Sequence, residues 1–207
     1  MKINTNEWNK IRYTFYAPFY NVVERIFRKS RQRSIEQLSV KKGEKVLLIG
    51  AGTGLDLDFL RQDAEITAID LTPPMLEKLK KRSLKLNLNV QTRVMDGQNL
   101  DFPDGHFDKI ILHLIVAVIP DPVKCLQEAE RVLKENGSIT VFDKLLKIDK
   151  KPNLFRKAAN VLANFFFSDI NRKIEEIAAK TNLTIVSDLK ANFNGNFRII
   201  LLKKDQS

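Results

Sequence analysis

The segment Val46-Leu47-Leu48-Ile49-Gly50-Ala51-Gly52-Thr53-Gly54-Leu55 constrains this chain more than any other. Four consecutive large apolar residues read as a strand buried on both faces, and three glycines spaced by two follow it directly. Glycine allows a positive φ and lets the backbone approach a ligand where a Cβ would clash. Such a strand, loop and helix belong to a parallel sheet covered on both faces, which binds ligands beyond the C-terminal ends of its strands. The dinucleotide pattern G-x-G-x-x-G is left incomplete by Leu55, and no Gly-Lys-Ser/Thr follows as in a P-loop. The loop therefore suits an adenosyl ligand without a pyrophosphate better than NAD or ATP.

Short β-branched runs alternate with helical patterns along the chain, as βαβ units require. Strands are expected at residues 45–49, 65–69, 90–95, 107–113 and 138–142, and helices at 56–61, 74–86 and 123–133. The C-terminal runs 184–189 and 197–203 flank the turn-rich segment Asn192-Phe193-Asn194-Gly195-Asn196. That connection is too short for a parallel crossover and implies an antiparallel hairpin. The expected fold is α/β: a seven-stranded mixed sheet of five parallel strands plus the C-terminal hairpin, with helices on both faces. Residues 7–39 read as helix, so 1–39 are expected to form a helical lid. Residues 154–180, with the amphipathic stretch 154–167, read as a helical insertion before the hairpin. No repeat or linker divides residues 1–207, which are expected to form one domain.

Composition narrows the function classes. A single cysteine, Cys125, forms no internal disulfide and fits a reducing cytoplasm. With two histidines besides, neither a catalytic metal nor a cysteine nucleophile is expected. The longest apolar run, residues 110–119, contains His113 and falls short of the roughly 20 residues a membrane span needs. No apolar run near Met1 suggests a signal peptide. The 35 Lys and Arg outnumber the 25 Asp and Glu, for a net charge of +10. The densest basic run holds Arg25, Arg28, Lys29, Arg31 and Arg33 on a helical pattern. It reads as a membrane-surface or calmodulin-like element, a nucleic-acid patch, or simply a solvated face.

Two carboxylates fall at expected strand ends. Asp70 lies 20 residues after Gly50, where it can accept ribose hydroxyls or cap the helix that Thr72-Pro73-Pro74 begins. Asp96-Gly97 ends the third strand as a turn or as a contact for an adenine amino group.

These features, with Phe102-Pro103-Asp104-Gly105-His106-Phe107-Asp108 and Arg131-Val132-Leu133-Lys134-Glu135-Asn136-Gly137, occur in the order and spacing of a known family. Residues 40–205 resemble the class I S-adenosylmethionine (SAM) methyltransferases, which have a Rossmann-like fold. Tyr16-Ala17-Pro18-Phe19-Tyr20 and Ile119-Pro120-Asp121-Pro122 resemble the branch of bacterial phosphatidylethanolamine N-methyltransferases and quinone-biosynthesis methyltransferases. The resemblance implies SAM as cofactor, S-adenosylhomocysteine (SAH) as product, and Tyr16, Gly50, Gly52, Gly54, Asp70, Leu71, Asp96, Gly97 and His113 as cofactor-binding residues. It implies catalytic roles for Tyr20 and His113, with core packing as the competing role for each. The family's usual Asp or Glu is replaced here by Leu48, leaving the SAM ammonium to backbone carbonyls, water or another acid. The usual Pro-Gly-Gly is replaced by Glu135-Asn136-Gly137, which keeps the turn because Asn tolerates left-handed backbone.

No RNA-binding module is recognisable, and His113-Leu114-Ile115-Val116 is apolar where nucleic-acid enzymes of the family often carry a polar catalytic motif. A lipid or small hydrophobic substrate is therefore expected, with phosphatidylethanolamine first and a quinone ring or a non-catalytic SAM-binding module as rivals. Nucleic acid is not expected as a partner. The basic helix points to an anionic membrane surface, and hence to a cytoplasmic protein peripheral to the inner membrane.

Overall fold

The computed structural model describes Thr5, residues 20–146 and residues 171–204, with backbone alone for residues 20–25 and 194. Tyr16 and the segment 154–167 lie outside the described residues, as does the Tyr20 side chain.

The chain begins in helix α1 (Tyr20–Leu38) and enters β1 (Lys45–Ile49). A short 3-10 helix (Leu55–Phe59) leads to β2 (Glu65–Asp70), α2 (Pro73–Lys85), β3 (Val90–Val94), β4 (Phe107–His113) and α3 (Pro122–Val132). Then follow β5 (Leu133–Lys144), α4 (Ile174–Ala178), β6 (Leu183–Lys190), α5 (Asn192–Gly195) and β7 (Phe197–Lys204). The seven strands are ordered β3-β2-β1-β4-β5-β7-β6. The first five are parallel neighbours, and β7 pairs antiparallel with both β5 and β6. The C-terminal hairpin is thus inserted with β7 inward, and β7 alone runs against the rest.

Alternation along β1 explains the two-faced core. Leu47 and Ile49 pack with Leu126, Ala129 and Ile177 of α3 and α4, while Val46 and Leu48 pack with Ile35 and Leu38 of α1 and Leu76 and Leu79 of α2. Every residue from Val46 to Ile49 is at most 2% exposed, as a central strand with helices on both faces demands.

Three local expectations change. The helix expected at 56–61 is a single 3-10 stretch, because Gly54 enters it at φ 79° and Leu60 is already extended. Strand β5 starts at Leu133 rather than Ser138 and carries an irregularity opposite Phe107 and Lys109, where Asn136 takes φ 63°. Asparagine does there what the usual glycine would do. The turn expected at 192–196 winds into α5. Helix α1 covers the sheet's ligand edge through Arg31, yet its second half is also a packed layer, with Ser34, Ile35 and Leu38 buried.

Candidate active site

The C-terminal ends of β1, β2, β3 and β4 surround a cleft of about 850 Å³, its mouth included. All three loop glycines hold left-handed backbone, at φ 68°, 53° and 79° for Gly50, Gly52 and Gly54. Their reasons differ. A Cβ on Gly50 would stand 2.8 Å from Ile115, and one on Gly54 2.8 Å from Leu79 of α2. A Cβ on Gly52 would meet nothing within 4 Å, because it would project into open space. Gly97 answers to packing: its Cβ would lie 2.6 Å from Ile49.

Asp70 ends β2 and ties the glycine loop to the turn before α2, whose N-cap is Thr72 rather than Asp70. One carboxylate oxygen accepts the Gly52 N–H at 2.9 Å, and the other accepts the Thr72 N–H at 2.8 Å, at the start of α2. Burial pushes its pKa up, against the pull of those backbone donors. The Thr72 hydroxyl and the Leu71 N–H add to that pull on the carboxylate. Leu71 and Thr72 continue the same wall. Asp96 accepts both the backbone and side-chain N–H groups of Gln98, whose Oε1 accepts the Asp121 N–H at 2.7 Å. Asp121 in turn caps α3 by accepting the Lys124 N–H. This tie from Asp96 through Gln98 to α3 is not legible in the sequence.

On the β4 side, His113 sits in a buried polar chain. Its Nδ1 is 2.7 Å from Asp56, its Nε2 is 2.8 Å from the Ser34 hydroxyl, and Ser34 continues to Thr140 at 2.7 Å. Arg31 donates to both oxygens of Asp56 at 2.7 and 2.8 Å. Burial would raise the Asp56 pKa, but the charges and hydrogen bonds of Arg31 and His113 outweigh it and hold the carboxyl well below the usual range. Both His113 ring nitrogens are therefore committed to Asp56 and Ser34. The expectation that a ring nitrogen faces a substrate amine is replaced by one in which the ring anchors the cleft wall.

Arg31, Asp56 and Ser34 were not singled out by the sequence reading as site residues. Arg31 was grouped with the surface charges of its basic run, yet it is 6% exposed. The missed signal was spacing: Arg31, Ser34, Ile35 and Leu38 share one helical face, and that face is buried.

The remaining wall is apolar, formed by Leu114, Ile115, Val118, Ile119 and Pro120. Two ionic groups brace it, Asp143 buried and Arg172 half-buried. Asp143 accepts the Ala117 N–H at 2.8 Å, and Arg172 donates to the carbonyls of Val116 and Ile119. Leu114 is held at φ 59°, a conformation leucine rarely adopts, by a bond from its N–H to the Phe142 carbonyl.

The residues fit an adenosyl ligand with an anionic tail. An open cradle lies before Gly52, half-buried carboxylates stand at β2 and β3, and the Arg31 Nε is a buried donor with no partner. A methyltransferase-domain family matches residues 47–141, the segment that builds this cleft. The match and the cleft together identify a SAM-dependent methyltransferase. This methyltransferase is 28% identical to a phosphatidylethanolamine N-methyltransferase of Cereibacter sphaeroides, over 84% of the chain and 86% of that protein. It is 35% identical to a demethylmenaquinone methyltransferase of Tropheryma whipplei, over 54% of the chain but only 46% of the relative. The fold matches the geranyl diphosphate C-methyltransferase of Streptomyces coelicolor, solved with S-adenosylhomocysteine, with TM-score 0.73 and 13% identity over 87% of this chain and 81% of that one. SAM is the cofactor that this family and cleft share.

Proposed function

We propose that this methyltransferase methylates the amino head group of a phospholipid, with phosphatidylethanolamine as the acceptor. The observation that carries the reading is the similarity to a phosphatidylethanolamine N-methyltransferase, which runs through 84% of the chain. The quinone methyltransferases align with 53–61% of it. The braced wall of Leu114, Ile115, Val118 and Ile119 supports an apolar acceptor.

SAM, when bound, supplies an electrophilic methyl group on a sulfonium. The protein's task is to bind, orient and exclude water. Gly50, Gly52 and Gly54 shape the cradle, Asp70 with Leu71 takes the ribose, and Asp96 with Gly97 takes the adenine edge. His113 fixes the β4 wall through Asp56 and Ser34. In this reading Tyr16 serves cofactor binding, and the Tyr20 phenolic oxygen accepts a hydrogen bond from the acceptor amine.

The partner surface is an anionic membrane. Lys29 and Arg33 are exposed on α1, and Arg28 is half exposed while bonded to Asp58. No described helix is long and apolar enough to cross a membrane, so contact is peripheral in this reading. Each free basic group contributes about 1 kcal/mol near an anionic surface.

Radiolabelled SAM incubated with the protein and total lipid extract tests the reading. Label is expected in methylated phosphatidylethanolamine, with cosedimentation on anionic but not neutral vesicles. Label confined to quinones would transfer the assignment to the quinone branch. Bound SAM with no transfer would make the chain a binding module.

A further inference from the structure

We propose that the tip of the C-terminal hairpin is a bilayer-docking element. Phe193, with Leu189 and Ile26 beside it, enters the head-group layer of an anionic phospholipid membrane and brings the cleft edge of the sheet against it. This rests on the membrane assignment above, which invokes charge alone, and adds an apolar contact to it.

Of the six large apolar residues left exposed among the described residues, these three gather at one place. Phe193 is 57% exposed and Ile26 45%. The Asn192 side chain joins their elements, accepting the Ser30 hydroxyl at 2.6 Å and donating to the Ile26 carbonyl at 2.9 Å. Leu189 pairs with Ile199 across the hairpin. Directly opposed residues share a face, so Leu189 lies on the face where Phe27 of α1 packs with Ile199. Phe193 holds φ 54°, left-handed backbone that a bulky residue rarely adopts. Its ring meets Phe27 and Phe197 at centroid distances of 6.3 and 5.7 Å and otherwise faces solvent. The fold thus fixes an aromatic ring outward, at a strained position, by bonds to α1.

Position ties the tip to the reaction. Strand β7 runs antiparallel to β5 and pairs Phe197 with Lys144, so the tip stands at the C-terminal edge where the cleft opens. Leu114 lines the cleft and packs on the cluster of Phe142, Phe197 and Ile199. Apolar contacts therefore run from the exposed ring to the acceptor wall. The rim is cationic: Lys29, Arg33 and Lys190 are exposed, and the Lys144 ammonium lies 5.6 Å from the Phe197 ring centroid. Exposed apolar patches mark interaction surfaces, and an aromatic set among basic groups matches the interfacial layer of a bilayer. A second copy of the chain would bring the same cations against this rim, at a net charge of +10 each. The anionic bilayer is the occupant that the charges favour.

Cosedimentation of the full chain with vesicles of phosphatidylcholine containing about one-third phosphatidylglycerol reads the contact. Phe193→Ser is expected to lower the partition coefficient about 5–20-fold and Ile26→Ser about 3–10-fold, from the exposed apolar area each removes. Phe193→Trp should bind at least as tightly as wild type, because it keeps an interfacial aromatic. Added salt should weaken every form while the ratio of wild type to Phe193→Ser holds, since apolar contact is not screened. Equal binding by wild type and both serine variants would overturn the proposal and leave the contact to the basic groups. A loss that Phe193→Trp does not restore, with a matching fall in Tm, would assign the ring to the core and overturn it as well. A vesicle-free mass that drops from dimer to monomer in Phe193→Ser would give the patch to a second copy instead. Activity separates this proposal from the acceptor assignment. Phe193→Ser should raise KM for vesicle phosphatidylethanolamine about tenfold and leave the rate on a short-chain, monomeric phosphatidylethanolamine unchanged. Methylation of the short-chain lipid with no effect of Phe193→Ser on vesicles would refute the docking tip alone. Vesicle binding that depends on Phe193, in a protein that methylates neither lipid, would refute the acceptor assignment alone.

Discussion

Replacing Asp56 by Asn tests whether the buried polar chain holds the cleft together. The substitution keeps the shape of the side chain but removes the charge that faces Arg31 at 2.7 and 2.8 Å and His113 at 2.7 Å. Asp56 and Arg31 are only 4% and 7% exposed, so water cannot replace the lost partner. Removing one member of a buried pair typically costs about 3–5 kcal/mol, because the other charge stays buried and uncompensated. For a chain of this size each kcal/mol lowers Tm by about 2–4 °C, so a fall of about 6–20 °C is expected in a thermal melt followed by circular dichroism. The pH dependence adds a second readout. The folded pKa of Asp56 lies below its unfolded value of 3.8, so its stabilisation is complete above that value. It is lost as pH falls, because only the unfolded state then takes up the proton. The stability gap between wild type and Asp56→Asn in urea titrations should be level from pH 7 to about pH 4 and narrow below. The double variant Arg31→Met with Asp56→Leu should lose less than Asp56→Asn, since two apolar groups leave no orphan charge. A Tm change under about 4 °C, or a gap that widens in acid, would refute the argument.

The loop glycines should separate into packing and ligand roles. Gly52→Ala places its Cβ in open space at φ 53°, so it should cost only the about 1–2 kcal/mol of left-handed strain while weakening SAH at least tenfold by calorimetry. Gly50→Ala adds a 2.8 Å contact with Ile115 and should melt lower than Gly52→Ala; the reverse order would undo the distinction. Cys125 is fully enclosed beside Asp96, and burial pushes its thiol up to about 12. Ellman's reagent at pH 8 should therefore report no reaction until the protein is unfolded, and prompt labelling of the native chain would show that α3 opens.

The parallel core was legible because its signals are local. A run such as Val46 to Ile49 has no solvent-facing side, and alternate residues feed both helix layers, so periodicity alone locates a central strand. Left-handed glycines and strand-end aspartates are likewise dictated by nearest neighbours, and this is why Gly50, Gly52, Asp70 and Asp96 line the cleft, whereas Gly54 packs against Leu79 instead of lining it. The 3-10 helix and the early start of β5 were not legible, since both depend on which strand ends the segment must reach.

The sequence by itself determined the sheet, its ligand edge and the adenosine side of the cleft. The tertiary structure alone decided the β4 side. Arg31 and Asp56 lie 25 residues apart, Ser34 and His113 79 apart, and Ser34 and Thr140 106 apart. No propensity or spacing rule links such positions, because the free energy of a buried ion pair exists only once α1 has docked on the sheet and excluded water from it. Before that docking Arg31 is one basic residue among five in its run. Once docked, it is a fixed cation at the wall of the cofactor cleft.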